Sequence, residues 1–315
     1  NGLERLRDSA FVTYSNSEGL PADGSTPIFV DAENQTWLAP VQGGLWCLKD
    51  GLGRPVTGVG LEKDVIYSIT GGSGELWLGR QRGGLTRLRL NRGAYETRTY
   101  TQVDGLAQNS VYSVHLARDG TVWAGTLSGG VSRLQHGIFT TYDAANGLAS
   151  NTVVAIEEAS DGTMWFATPT GLSSLSSGHW RTYSAKDGLP SMNVNCLLGD
   201  SKGVLWIGTA AGLAYRDKGG FRVPDGLPAP LKEQILGIAE DRFGSLWMAT
   251  SNHVVSVPRD KLTQGALAQG EWHEYGLADG LRGMEGVKRD QSVVSDPLGR
   301  IWFSMNLGIS VVDPR

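Results

Sequence analysis

One tryptophan recurs seven times along the 315 residues, at Trp37, Trp77, Trp123, Trp165, Trp206, Trp247 and Trp302, each after a short apolar segment and a polar turn. From the second copy onward the surrounding phrase reads GELWLGR, GTVWAGT, GTMWFAT, GVLWIGT, GSLWMAT and GRIWFSM. The intervals are 40, 46, 42, 41, 41 and 55 residues, and a period of about 40 to 45 residues is that of a four-stranded propeller blade. Such a unit cannot bury its apolar face alone and must lean on its neighbours. Seven anchors therefore imply seven stacked units.

Within one copy the periods are those of strands. In the third, residues 111–117 form a β-rich run, and Asp119-Gly120 supplies a tight turn in which glycine takes a positive φ. Residues 121–126 hold the Trp, Gly129-Gly130 turns into residues 131–134, and residues 139–142 make a fourth run before a polar loop with Gly147-Leu148. The fold class predicted is all-β: a seven-bladed β-propeller with four-stranded antiparallel blades. A blade is covered by neighbours on both faces, so its inner strands should read as continuous apolar runs. Val153-Val154-Ala155-Ile156 and Ile235-Leu236-Gly237-Ile238 do so. Each repeat Trp then fills the gap between adjacent sheets, burying on the order of 200 Å², which makes it core rather than a sugar-stacking platform.

The ends explain how the ring closes. Phe11-Val12-Thr13-Tyr14 followed by Gly19-Leu20 copies a fourth strand yet precedes the first complete anchor, while Trp302 is followed only by a third strand, residues 308–312. Residues 10–16 are expected to be the outer strand of the last blade, so that no sheet edge is left open to aggregation. Residues 1–8 copy a third strand whose place is already taken, and read as the remnant of a preceding blade. Residues 1–315 are then one propeller domain, cut from something longer: the chain starts Asn1-Gly2-Leu3, with neither an initiator Met nor a signal-peptide pattern.

Bulk properties narrow the function. Twenty-eight basic and 32 acidic residues, without long runs, leave a formal net charge of −4, so no electrostatic footprint for nucleic acid or an anionic membrane exists. No apolar run approaches the roughly 20 residues that span a bilayer. Cys47 and Cys196 lie in different repeats and offer no disulfide framework or CxxC knuckle. Cys196 stands ten residues before its Trp, where other copies carry Ser113, Ala155, Gly237 and Ser292. It is a small core residue.

The string Gly188-Leu189-Pro190-Ser191-Met192-Asn193, an apolar run, then Gly203-Val204-Leu205-Trp206-Ile207-Gly208-Thr209 and Gly212-Leu213 resembles the two-component regulator propeller repeat. The likeness extends through seven copies. It implies the extracytoplasmic sensor region of bacterial hybrid two-component histidine kinases, or of related membrane diguanylate cyclases. Residues 279–286, 299–303 and 311–314 are similar to the terminal blade of such sensors, after which an immunoglobulin-like domain, a membrane helix and the signalling module follow. By this resemblance the chain is a periplasmic, non-enzymatic sensor module. Its implied partners are a small-molecule or oligosaccharide ligand, carbohydrate first, those downstream domains, and a second copy in a homodimer. Blade one has Leu38-Ala39-Pro40 where others have Gly-Thr, blade two ends its anchor Arg80-Gln81-Arg82, and blade six has His253-Val254 where Gly-Leu is usual. These departures bear on binding chemistry rather than fold.

Loops at one mouth of the ring vary while the ring stays fixed, and binding chemistry belongs there. Arg80 and Arg82 stand in such a loop, and planar guanidinium groups suit carboxylate, sulfate or uronic acid. Taken alone, either reads first as a surface residue bridging neighbouring acids. Arg282, Glu285, Lys288 and Arg289 form a second candidate cluster inside the 55-residue interval. Asn109, Asn151 and Asn193 precede three first strands and read as turn or capping residues. The five histidines, His115, His136, His179, His253 and His273, have no HxH or HExxH spacing, so neither a metal nor another cofactor is expected. His115 reads as a core or channel-lining residue. No GxSxG elbow, phosphate loop or dinucleotide fingerprint sits in strand-turn-helix context, and catalysis has no positive sign. Two alternatives remain beside the sensor: an enzyme resembling the streptogramin-cleaving propeller lyases, using a metal-assisted His such as His115 or His253, and a passive protein-interaction scaffold with a large exposed apolar patch.

Overall fold

The structure is a computed structural model, and it describes residues 9–20, 26–49, 51–72, 74–91, 94–265, 267–268 and 270–315. Residues 1–8, read above as the remnant of a preceding blade, lie outside the described residues. The described residues form seven four-stranded antiparallel sheets, one per Trp anchor. Their innermost strands are Ile28–Val30, Ile66–Gly72, Val111–Leu116, Ala155–Glu158, Val194–Gly199, Ile235–Glu240 and Val293–Ser295. Each comes first in its blade and runs from an upper mouth, where it begins, to a lower mouth, where it turns into the Trp strand.

The Trp side chains are core, as their recurrence predicts: the most exposed of the seven anchors, Trp37, is 5 % accessible. What fixes their orientation is the turn before them. In blades 1, 5, 6 and 7 an Asp six residues ahead of the Trp accepts the indole Nε1–H, from Trp37 to Asp31, Trp206 to Asp200, Trp247 to Asp241 and Trp302 to Asp296, all at 2.7 to 2.8 Å. The second oxygen of Asp241 accepts the backbone N–H of Phe243 at 2.8 Å and of Ser245 at 2.9 Å. One carboxylate thus closes the turn and satisfies a buried donor. Replacing Asp241 by Asn weakens this set and should cost about 1.5 kcal/mol, visible as a lower urea midpoint at unchanged slope.

The ring closes as the sequence predicts. Phe11–Tyr14 pairs antiparallel with Gly308–Val312 in register Phe11↔Val312 to Tyr14↔Ile309, completing the sheet of blade 7. Phe11 is buried edge-on against Tyr275 at 5.3 Å and Phe303 at 5.8 Å between ring centroids. Thr13 Oγ1 donates to the carbonyl of Gly280 at 2.9 Å.

The 55-residue interval holds two insertions that strand periodicity did not foresee. A short helix, Arg259–Gln264, lies between the third and fourth strands of blade 6, and its Arg259 reaches back to Ser201 of blade 5 at 3.0 Å. The second insertion, residues 282–292, precedes the first strand of blade 7 and enters the channel.

Candidate functional site

The upper mouth is built by a repeated backbone irregularity. In blades 2, 3, 5 and 6 the pairing of the first two strands shifts by one residue, between Ile66/Ser68, Val111/Ser113, Val194/Cys196 and Ile235/Gly237. A bulge leaves one residue outside the ladder and re-aims its side chain. The residues concerned are Tyr67, Tyr112, Asn195 and Leu236. The ring centroids of Tyr67 and Tyr112 lie 5.0 Å apart. Asn195 is buried, its amide donating to the carbonyl of Ile235 at 3.1 Å and meeting the Gln234 amide at 3.5 Å.

Residues 286–291 cross this mouth from blade 7. Gly286 bridges Met305 and donates its N–H to Thr250 at 3.0 Å, an approach in which a side chain would fall 2.6 Å from that carbonyl. Only glycine fits there. Arg289 N–H donates to the Val287 carbonyl at 3.0 Å, and this tight turn carries the next two side chains across the ring. The Arg289 guanidinium lies 4.9 Å from the Tyr67 ring centroid, a cation–π contact with blade 2. Asp290 accepts the Ser68 hydroxyl at 2.8 Å, and that hydroxyl in turn accepts the Val114 N–H of blade 3 at 3.0 Å. A blade 7 carboxylate thus reaches past blade 1 and closes over the channel from above, as a stopper, by bonding to blade 2.

Below the stopper lies a cavity of about 270 Å³, lined among others by Glu157, Cys196, Leu198, Ile238, Asp290 and Val294. Its two carboxyl groups are both pushed up to about 7, in each case chiefly by burial. For Asp290 the Ser68 hydroxyl and backbone N–H groups hold the shift back. For Glu157 the Gly199 N–H, at 3.0 Å, opposes burial, while the negative charge of Asp290 adds to it. His115, farther down blade 3, is depressed to about 4 by burial, against the opposing pull of Glu158. Near neutral pH the channel therefore holds a neutral imidazole and two carboxyls whose ionisation burial opposes.

Of the six residues singled out in the sequence, the structure brings Lys288 and Arg289 to the stopper itself. Lys288 is exposed, and partial loss of water holds its ammonium below the usual lysine range. Arg80 is engaged by Asp64 at 2.9 Å and by Thr86 at 3.3 Å, the neighbouring-acid arrangement weighed above. Arg82 is exposed in the adjoining loop. Arg282 bonds the Ser15 hydroxyl beside the closing strand, and Glu285 accepts from the Asn306 amide at 3.2 Å. These two tie the stopper's root to the ring. Asn109 and Asn151 cap turns, accepting from Gln102 N–H at 2.9 Å and Ala144 N–H at 2.8 Å. Asn193 departs from them: its Oδ1 is buried without a hydrogen-bond partner, as are Arg289 Nε and Gln291 Oε1.

Sequence reasoning missed Tyr67, Tyr112, Asn195, Asp290 and Glu157. A signal for the first three existed, since each stands immediately before the small axial residue of its copy, Ser68, Ser113 and Cys196. His253, raised above as a metal-assisted catalyst, is held between Glu274 at 2.6 Å and Glu233 at 3.3 Å. Cys196 is buried, its thiol pushed up to about 12 by desolvation. No helix among the described residues is long and apolar enough to cross a membrane.

Two stretches, residues 147–170 and 188–211, match the family model described as two component regulator propeller. No curated protein matches the chain. Among solved structures, the chain resembles an extracellular domain assigned to a hybrid two component system of B. thetaiotaomicron, with a TM-score of 0.76 at 20 % identity over 98 % of this chain and 42 % of that one. It spans less than half of that domain. A streptogramin B lyase gives a TM-score of 0.74 at 16 % identity over 96 % and 97 % of the two chains. YCF48 from Cyanidioschyzon merolae gives 0.69 at 12 % identity over 97 % and 99 %. At such identities the likeness is one of fold.

Proposed function

We propose that this chain, two stretches of which match the two component regulator propeller model, is a non-enzymatic, extracytoplasmic sensor module, periplasmic in the intact protein, that binds a small polar molecule at the upper mouth. One observation carries the reading: three buried polar atoms without partners, on Arg289, Gln291 and Asn193, in the segments that form the mouth and its stopper. Buried polar atoms are nearly always paired, with protein groups or ordered water, and a ligand hydroxyl that displaces such water can take the same bonds. Beside Arg289 stand the paired rings of Tyr67 and Tyr112, and polar groups next to aromatic rings suit the hydroxyls and faces of a sugar. An oligosaccharide, acidic ones included, is the ligand class we favour. The signal would pass to immunoglobulin-like and transmembrane signalling domains of the parent protein through the packing of a homodimer.

Titration with a panel of neutral and uronic-acid oligosaccharides, read by melting temperature, tests this. A ligand at about 100 times its Kd should add about 2.7 kcal/mol. Tyr112→Ala should weaken binding about tenfold, and Arg289→Ala should remove any preference for acidic sugars. A stabilising glycan whose effect survives both substitutions would bind elsewhere and refute the assignment of the mouth.

A further inference from the structure

The stopper is fastened by its backbone at both ends and by side chains alone between them. Gly286 donates to the Thr250 carbonyl of blade 6 at 3.0 Å, and the Gln291 carbonyl accepts the Ile28 N–H of blade 1 at 3.3 Å. Among the described residues no backbone hydrogen bond ties residues 287–290 to a blade, and the Arg289 N–H turns inward to Val287. Three side chains hold this span down: Val287, which is buried, Arg289 over the Tyr67 ring at 4.9 Å, and Asp290 on the Ser68 hydroxyl at 2.8 Å.

The position is strained. Gln291 takes a φ of +56°, in the left-handed region that a residue with a Cβ enters only at a cost. Arg289 Nε and Gln291 Oε1 are buried without hydrogen-bond partners, and lifting the span returns them to water. The Arg289 guanidinium also occupies a face of Tyr67, one of the two rings on which a sugar would stack. Beneath lies the cavity of about 270 Å³. Strain of this kind persists only where other contacts hold it, and it gathers at segments that switch between two positions.

We propose that residues 286–291 are a lid that swings between this closed position and one lifted off Tyr67, hinged at Gly286 and Gln291, with the Asp290–Ser68 hydrogen bond as its latch. Opening bares the Tyr67 face and the channel cavity together. That the lid serves ligand capture rests on the sensor reading, whereas its opening does not.

The latch responds to protons. Asp290 meets the Ser68 hydroxyl and the Val114 N–H, with the Tyr67 ring beside them, and shares its cavity with two other titratable groups, Glu157 of blade 4 and Cys196 of blade 5. Blades 1 and 6 add no titratable group to that wall. Burial is the first cause of the raised Asp290 value, and no cation is among its causes. An ionised Asp290 is better solvated with the lid lifted. With the closed value at about 7 and an ordinary carboxyl in the open lid, the open fraction should rise about tenfold between pH 6 and pH 8.

Limited proteolysis with trypsin tests this without any ligand. The protease needs an extended segment around Lys288 and Arg289, which the closed turn does not offer, so the cutting rate follows the open fraction. Cleavage after Lys218, in an exposed turn, calibrates the enzyme at each pH, and cleavage after Arg259, 5 % exposed, reports unfolding of the ring. Relative to Lys218, cutting at the lid should increase about tenfold from pH 6 to pH 8 in the parent. Ser68→Ala removes the latch and should raise lid cutting about tenfold at pH 6, with Arg259 still protected. Asp290→Asn keeps an acceptor for Ser68 but no charge, and should lose most of the increase with pH. Lid cutting that keeps pace with Arg259 in all three proteins, no gain in Ser68→Ala, or the parent's pH profile in Asp290→Asn would overturn the proposal. A lid that opens as described in a protein that binds no glycan would refute the sensor reading alone.

Discussion

Phe11→Ala should destabilise the protein by about 4 kcal/mol, the range found when a buried Phe leaves a cavity that its surroundings do not fill. Phe11 is 1 % exposed and sits among Trp247, Tyr275 and Phe303, contributed by blade 6 and blade 7. The loss has a second component. Phe11–Tyr14 is the closing strand, and with its anchor gone the third strand of blade 7, Gly308–Val312, acquires an open edge. Open edges template intermolecular pairing, so concentration-dependent aggregation should accompany the lower urea midpoint. Val12, on the same strand and 55 % exposed, is the control: Val12→Ala should change stability by less than about 0.5 kcal/mol. Equal effects of the two substitutions would show that the closing strand is not what holds the ends together.

Asp290→Asn should reverse part of the pH dependence of stability. The folded-state pKa of Asp290 is raised from 3.8 to about 7 and that of Glu157 from 4.5 to about 7. The folded protein therefore binds these protons more tightly than the unfolded chain. Their contribution is fully present below the unfolded values and is lost as pH rises through about 7. His115 acts oppositely, since its pKa falls from 6.5 to about 4: its contribution is present above 6.5 and is lost as pH falls toward 4. Between these limits two carboxyls outweigh one imidazole, and above 6.5 the imidazole drops out. Stability should therefore be highest on the acid side and fall toward alkaline pH. The amide in Asp290→Asn still accepts from Ser68 but cannot ionise. At about pH 8 that variant should exceed the parent by up to about 4 kcal/mol, since each tenfold difference in proton affinity between the folded and unfolded chain is worth about 1.4 kcal/mol. Below about pH 4, where the carboxyl is protonated in the folded and the unfolded chain alike, the difference should be small. Urea unfolding at several pH values measures it. Parallel profiles for parent and variant would mean that Asp290 does not hold a proton in the channel.

Both predictions concern long-range contacts, yet they differ in how far the chain announces them. The closing strand was legible because Phe11-Val12-Thr13-Tyr14 repeats a phrase found at Phe139-Thr140-Thr141-Tyr142, and a misplaced copy of a repeated strand has one vacancy to fill. The stopper was not legible. Asp290 finds Ser68 across 222 residues of sequence, and nothing in a blade's own pattern refers to a blade two places round the ring. Lys288 and Arg289 were singled out as charges in a long interval, without any indication that the intervening residues turn into the channel. Arg80 has the same residue type as Arg289 and a comparable loop position, but Asp64 lies within its reach and engages it.

The amino-acid sequence by itself determined the all-β class, the seven blades, the buried Trp anchors and the closure, because each follows from local periods repeated often enough to admit one ring. Tertiary structure alone decided which side chains meet at the mouths: the bulges that aim Tyr67, Tyr112 and Asn195, and the carboxyls enclosed at Asp290 and Glu157. The physical reason is that a blade's fold depends on contacts with itself and its two neighbours, whereas the channel and the gaps between blades take their chemistry from residues that the repeat leaves free to vary.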